Sequence, residues 1–173
     1  MKSAIIFGEF LDKSTTGIAY MNTLLESSLK ILGYKIDKLI DPRSYDYNQA
    51  KLINKKNFNS NKYIDLFKDL FLVKKSEISF ITLSDGDLGL VKTFLIALIL
   101  KNKSKYIYTF IHRGDLKKKF KQSRFKKFFI KLIFKLSNNI IFLTNSFKNE
   151  MNFLVDQKIK YKVLSNSLRI EEK

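Results

Sequence analysis

Residues 78–112 read ISFITLSDGDLGLVKTFLIALILKNKSKYIYTFIH. Ile78 to Leu83 is a short apolar run of the kind a buried strand carries, and Ser84-Asp85-Gly86-Asp87 supplies turn chemistry behind it. Leu88 to Leu100 is apolar nearly all round, which predicts a helix buried between a sheet and a further layer. Tyr106 to Ile111 is again strand-like. A strand, a helix and a second strand in that order make a crossover unit, whose two strands lie parallel.

The same alternation extends to both sides. Ser3 to Phe7 reads as a fully buried first strand. Ile18 to Leu32 follows as a helix with Ile18, Met21, Leu24, Leu25, Leu29 and Leu32 on its inner side, closed by Gly33 at C′. Tyr34 to Ile40 predicts the second strand, stopped by Asp41 and Pro42, and the polar region from Arg43 to Asn61 reads as loop with a short helix. Tyr63 to Val73 suits a helix, Ile140 to Leu143 a fifth strand, Phe147 to Val155 a helix and Tyr161 to Leu164 a sixth strand. The expected fold class is α/β: a Rossmann-like, mostly parallel sheet flanked by helices. At 173 residues the chain reads as one domain, 1–173.

Composition limits the chemistry. With no Cys, disulfides and Cys-ligated metal sites are excluded, and a single His rules out a multi-His site within the chain. No metal and no bound cofactor is expected. Leu88 to Leu100 falls well short of the ~20 residues of a spanning helix, and the amino terminus carries no signal-peptide pattern. The expected location is therefore cytoplasmic, with any membrane contact peripheral.

The net charge of +17 calls for an anionic partner. From Leu116 to Asn149 there are ten Lys or Arg and no acid, nine of the ten within 117–135. On a helix, Phe125, Phe128, Phe129, Leu132, Ile133 and Leu136 share one face and are expected to pack on the core. Lys117, Lys121, Arg124, Lys131 and Lys135 gather on a second sector, with Lys127 nearby. Phe120, Ile130 and Phe134 form a smaller outer apolar sector. Charge beside apolar groups outside the core stripe predicts peripheral docking on an anionic membrane surface.

Candidate chemistry collects where strands end, since open α/β sheets bind ligands beyond the carboxyl ends of their strands. Thr15, Thr16 and Gly17 open the first helix, where backbone N–H groups and the helix dipole favour a phosphate. Asp85 and Asp87 are candidates to orient hydroxyl groups or act as general base. His112 directly follows the fourth strand, in place to hydrogen-bond a sugar hydroxyl, and Arg113 beside it suits a phosphate. Thr144-Asn145-Ser146 follows the fifth strand. Neither G-x-G-x-x-G nor a Walker A motif occurs, which disfavours dinucleotide-driven hydride transfer and P-loop hydrolysis.

The strand–loop–Gly17–helix opening, the strand KYIYTFIH ending in His112, and the segment NNIIFLTNSFKNEMNFL followed by KYKVLSNSL together resemble the amino-terminal, acceptor-side domain of GT-B glycosyltransferases, in particular the family-4-like group. The resemblance spans nearly the whole chain. It implies Gly17 near the donor phosphates, His112 near the transferred sugar and Asn166 at the hinge to a second domain. One Gly in the first loop where relatives often carry more, and Ser167 where Gly commonly follows the Asn, depart from the pattern. The implied activity is acceptor binding for sugar transfer from a nucleotide sugar to a saccharide or lipid-linked acceptor. The donor-binding, carboxyl-terminal half lies outside residues 1–173, so transfer by this chain alone is expected to be negligible. Three alternatives follow from the resemblance: that half is a separate polypeptide and a partner, the gene is truncated, or the chain serves as a binding module.

Two other classes compete. A basic α/β protein binding nucleic acid fits the charge, but no helix-turn-helix, RNP or zinc motif is present, and an apolar outer sector has no use on a phosphate backbone. A partner-docking module would instead use Phe120, Ile130 and Phe134 as interface anchors.

Overall fold

Runs of Ile, Phe, Val and Tyr form the strands of the computed structural model, which describes residues 2–11, 16–42, 60–84, 86–112, 123–151 and 160–164. In chain order these are β1 (Ser3–Gly8), α1 (Gly17–Ile31), β2 (Lys35–Ile40), α2 (Ser60–Leu72), β3 (Ser76–Thr82), α3 (Asp87–Lys101), β4 (Ser104–Ile111), α4 (Arg124–Leu136), β5 (Asn139–Phe142), α5 (Asn145–Met151) and β6 (Lys160–Val163). The six strands form one sheet in the order β2-β1-β3-β4-β5-β6, parallel throughout. This is the expected Rossmann-like α/β architecture.

Central strands of a parallel sheet are covered on both faces and so read as unbroken apolar runs. Ala4, Ile5 and Ile6 are each fully buried. Ala4 and Ile6 pack with Leu25 and Leu29 of α1, whereas Ile5 and Phe7 pack with Leu66 and Leu70 of α2 and with Ile96 and Leu100 of α3. On that second face α4 closes the core through Ile130, Ile133 and Phe134 against Ile111, Ile140 and Phe142. The chain leaves β1 on one face to reach β2, and later crossovers use the other. The order reverses between β1 and β3, the switch point beyond whose carboxyl edge open α/β sheets bind their ligands.

Three helices sit differently from their sequence periodicity. The inner row of α1 is Ala19, Asn22, Glu26 and Leu29, while Leu24 and Leu32 are exposed. The polar members of that row have partners: Asn22 meets the carboxyl ends of β1 and β3, and Glu26 lies 2.6 Å from Lys30 and 3.3 Å from Lys38. Burial opposes the charge of Glu26, but Lys30 and Lys38 outweigh it and hold the carboxyl below its ordinary value. Gly33 has φ 79°, the left-handed C′ position expected of it.

Instead of being sandwiched, α3 buries Leu90, Ile96, Ala97 and Leu100 and leaves Leu88, Leu95 and Leu98 exposed, at 77%, 39% and 44%. Among the described residues no further layer covers them. The phase of α4 is also corrected. Ile130 and Phe134, expected on the outer sector, are fully buried, and Phe125 and Phe128, expected in the core, are exposed. Apolar residues exceed what one face holds here, so the neighbouring strands β4 and β5 decide which are covered. At its start the Ser123 hydroxyl caps the helix, accepting from Lys126 N at 3.3 Å.

Candidate active-site crevice and the basic helix face

Parallel strands bring their carboxyl ends to one edge. Phe7 is level with Ile81, Thr82 with Phe110, and Ile111 with Phe142. The segments after β1, β3, β4 and β5 therefore emerge side by side.

At the β1/β3 reversal lies a buried polar cluster that periodicity did not single out. Asn22, 2% exposed, donates from Nδ2 to the Glu9 carbonyl at 2.9 Å and lies 3.4 Å from Thr82 Oγ1. Gly8 makes this possible: an added Cβ would collide with the Asn22 amide nitrogen and stand 2.9 Å from Thr82 Oγ1. Gly8 ending the run Ala4 to Phe7, with an Asn on the facing helix, was the available signal. Thr16 extends the cluster as the N-cap of α1, accepting from Ala19 N at 3.1 Å and donating to Glu9 Oε2 at 2.6 Å. A capping hydroxyl that also holds a carboxylate fixes the entry to the helix.

Gly17 opens α1 with an ordinary φ, and an added Cβ would meet nothing within 4 Å. Neither turn geometry nor packing demands glycine there.

One strand further on, His112 leaves β4 with its ring stacked on Phe110, centroids 5.6 Å apart and planes inclined by 15°. Its Nε2 is buried and has no hydrogen-bond partner among the described residues. Burial pushes the imidazole down to about 4, so it is neutral at physiological pH. A neutral imidazole offers one donor and one acceptor nitrogen. Leaving a buried polar atom unsatisfied costs about 1–3 kcal/mol, a cost that a ligand hydroxyl would remove.

The remaining candidates are distributed less tightly. Asp87 is the first residue of α3, and its exposed carboxylate pairs with Lys126 of α4 at 3.5 Å. Ser146 is exposed in the first turn of α5, whose start is capped by Thr144 Oγ1 accepting from Phe147 N at 3.2 Å. Thr15, Asp85, Arg113, Lys117, Phe120, Lys121 and Asn166 lie outside the described residues. Among the described residues no cluster of three His, Asp or Glu is placed to hold a metal ion.

The exposed surface of α4 carries Arg124, Lys127, Lys131 and Lys135 beside Phe125 and Phe128, which are 46% and 58% exposed. Both rings contact Phe129, at centroid distances of 4.7 and 5.5 Å, and Phe129 meets Phe94 of α3 edge-on at 5.6 Å. The aromatic cluster thus joins the exposed apolar strip of α3 to the basic surface of α4. No described helix is long and apolar enough to cross a membrane.

No protein-family model matches the chain, and comparison with curated proteins finds no relative.

Proposed function

We propose that this chain is the acceptor-binding half of a membrane-associated glycosyltransferase of GT-B type, acting with a donor-binding half on a saccharide or lipid-linked acceptor. The observation that carries the reading is the buried Nε2 of His112 at the carboxyl edge of the sheet, without a hydrogen-bond partner among the described residues. A neutral imidazole there suits hydrogen bonding to a sugar hydroxyl. The backbone N–H groups of the first turn of α1, from Gly17 on, suit the phosphates of a nucleotide-sugar donor, and no cofactor beyond that donor is required. The role of these groups would be positioning and charge stabilisation rather than covalent chemistry.

The membrane part rests on α3 and α4. Four cationic side chains near an anionic surface contribute ~1 kcal/mol each, and Phe125, Phe128 and the α3 leucines supply apolar contact. Sheet and helices would then sit on the inner face of the cell membrane. Of the sites expected from sequence, Arg124, Lys127, Lys131 and Lys135 stay in this surface; Ile130 and Phe134 leave it.

His112 is the sole histidine, so its imidazole resonances report on the crevice without overlap. Titration with nucleotide sugars and with simple saccharides should shift them saturably. A folded protein whose imidazole signals ignore every sugar tested would sink the reading. A gel-shift titration with duplex and single-stranded DNA and RNA, run beside sedimentation with phosphatidylglycerol vesicles, separates the membrane reading from a nucleic-acid one. Tight nucleic-acid binding without vesicle binding would favour the latter.

A further inference from the structure

The sheet has β2 and β6 at its edges, and among the described residues no strand lies beyond either. Lys35 N donates to the Lys2 carbonyl at 3.0 Å and Asp41 N to the Gly8 carbonyl at 2.8 Å. In a parallel ladder alternate residues face the partner strand, so Lys35, Asp37 and Leu39 bond to β1 while Ile36, Lys38 and Ile40 turn their N–H and C=O groups outward. Leu39 packs against Leu66 and Leu70 of α2, and the side chains of Lys35 and Asp37 project to that same side of the strand. Between them and the end of α2 runs a groove of about 530 Å³, walled on the helix side by Asp69, Leu72 and Val73. Both helices next to β2 end here in exposed apolar residues, Ile31 and Leu32 for α1, Phe71 and Leu72 for α2.

An edge with free donors and acceptors is a template for another strand, and charge decides which strand fits. When two copies pair their β2 strands antiparallel about a two-fold axis perpendicular to the sheet, the residue on the axis faces itself and its neighbours cross over. With Lys35, Asp37 or Lys38 on the axis, a charge meets its own kind. With Leu39 there, Asp37 meets Asp41, and with Ile40 there, no opposite charges meet. Ile36 on the axis sets Lys35 of each copy opposite Asp37 of the other, twice, and Ile36 opposite Ile36, whose outward N–H and C=O groups exchange both hydrogen bonds with their twins. We propose that the chain associates with a second copy of itself through β2 in this register, joining two six-stranded sheets into one. The axis then stands near the amino edge of the sheet, where Ile31, Leu32, Phe71 and Leu72 lie, and their approach to the second copy adds apolar burial. The opposite edge does not suit this pairing, because β6 carries Lys160 and Lys162 and no acid, which repels a second strand of the same sequence. Such a dimer uses the edge remote from α4 and does not depend on what the crevice binds.

The chain has no Cys, so introduced thiols report the register directly. In this pairing the Cα atoms of Ile36 and its twin stand about 5.5 Å apart, within disulfide reach, whereas the two Lys38 residues are separated by roughly 13 Å along the strands. Ile36→Cys should give a disulfide-linked dimer under mild oxidation, at a concentration where Lys38→Cys does not. Sedimentation equilibrium of the unaltered chain, free of lipid and nucleic acid, should show reversible monomer and dimer. Lys35→Asp and Asp37→Lys should each raise the dimer dissociation constant by about tenfold, and an equimolar mixture of the two should recover association, because each variant supplies the charges that the other faces. A chain that stays monomeric up to its solubility limit overturns the proposal. So does a dimer indifferent to both charge changes, or equal cross-linking at Ile36→Cys and Lys38→Cys, since the contact then lies elsewhere. Loss of association in both variants without recovery in the mixture, their circular dichroism being unchanged, overturns the register centred on Ile36. Should a charge variant unfold, the two cysteine variants decide alone.

Discussion

Lys92 of α3 holds both carboxylate oxygens of Asp41, just past β2, at 2.7 Å, and both side chains are about 5% exposed or less. The pair ties a helix on one face to the carboxyl end of an edge strand. Removing one partner takes from the other buried charge its 2.7 Å contact, which costs up to about 3–5 kcal/mol, whereas replacing both is close to neutral. Lys92→Met alone should therefore lower the urea midpoint strongly, and the double variant Asp41→Asn, Lys92→Met should restore most of it. A double variant as weak as the single one would show that the pair is not coupled.

Acid stability should fall in two successive, overlapping windows. The His112 pKa is depressed from 6.5 to about 4, so between those values the unfolded chain binds a proton that the folded one refuses, and stability drops by roughly 3 kcal/mol as pH falls. The lowered Glu26 carboxyl adds stability above its ordinary value of 4.5 that is lost as pH falls through the folded value. Unfolding followed against pH should lose its upper window in His112→Phe and weaken its lower one in Glu26→Gln. A wild-type profile flat from pH 6.5 to 4 would contradict the burial of the imidazole.

Gly8→Ala tests the close approach of β1 to Asn22 and Thr82. The added methyl should displace the Asn22 amide and cost about 1–3 kcal/mol, while Gly17→Ala, with open space before it, should leave stability within about 0.5 kcal/mol. Equal effects at the two glycines would mean that Asn22 can move aside freely.

The orientation of α4 is testable in the same way. Ile130→Ala, in the core, should cost about 2–5 kcal/mol, and Phe128→Ala, on the surface, less than about 1 kcal/mol. Vesicle sedimentation should respond in the opposite order, with Phe128→Ala the more damaging of the two.

The strands were legible because parallel strands covered on both faces announce themselves as continuous apolar runs, such as Ala4 to Phe7 and Ile140 to Phe142. Helix positions were legible as well, but helix rotation was not. In α4 apolar residues occupy more than one face, and periodicity gives their spacing without saying which face β4 and β5 will cover. In α1 the misleading feature is the inverse, polar Asn22 and Glu26 turned inward because the strand ends and Lys38 offer them partners that lie far off in sequence. The same cause hid the Gly8, Asn22 and Thr82 cluster, whose members belong to three separate elements. The position of His112 at a strand end was legible because it follows from topology.

An all-parallel sheet has no hairpin, and its folding order follows from that. Ala4 pairs with Ile36 on one side and with Ile78 on the other, so the first strand made is flanked only after β3 has been synthesised. Each pairing requires closure of a long loop before any contact offsets the lost chain entropy. The chain should therefore fold slowly for its size, and until β3 docks, the apolar run at its amino terminus is a surface that chaperones or other nascent chains can reach.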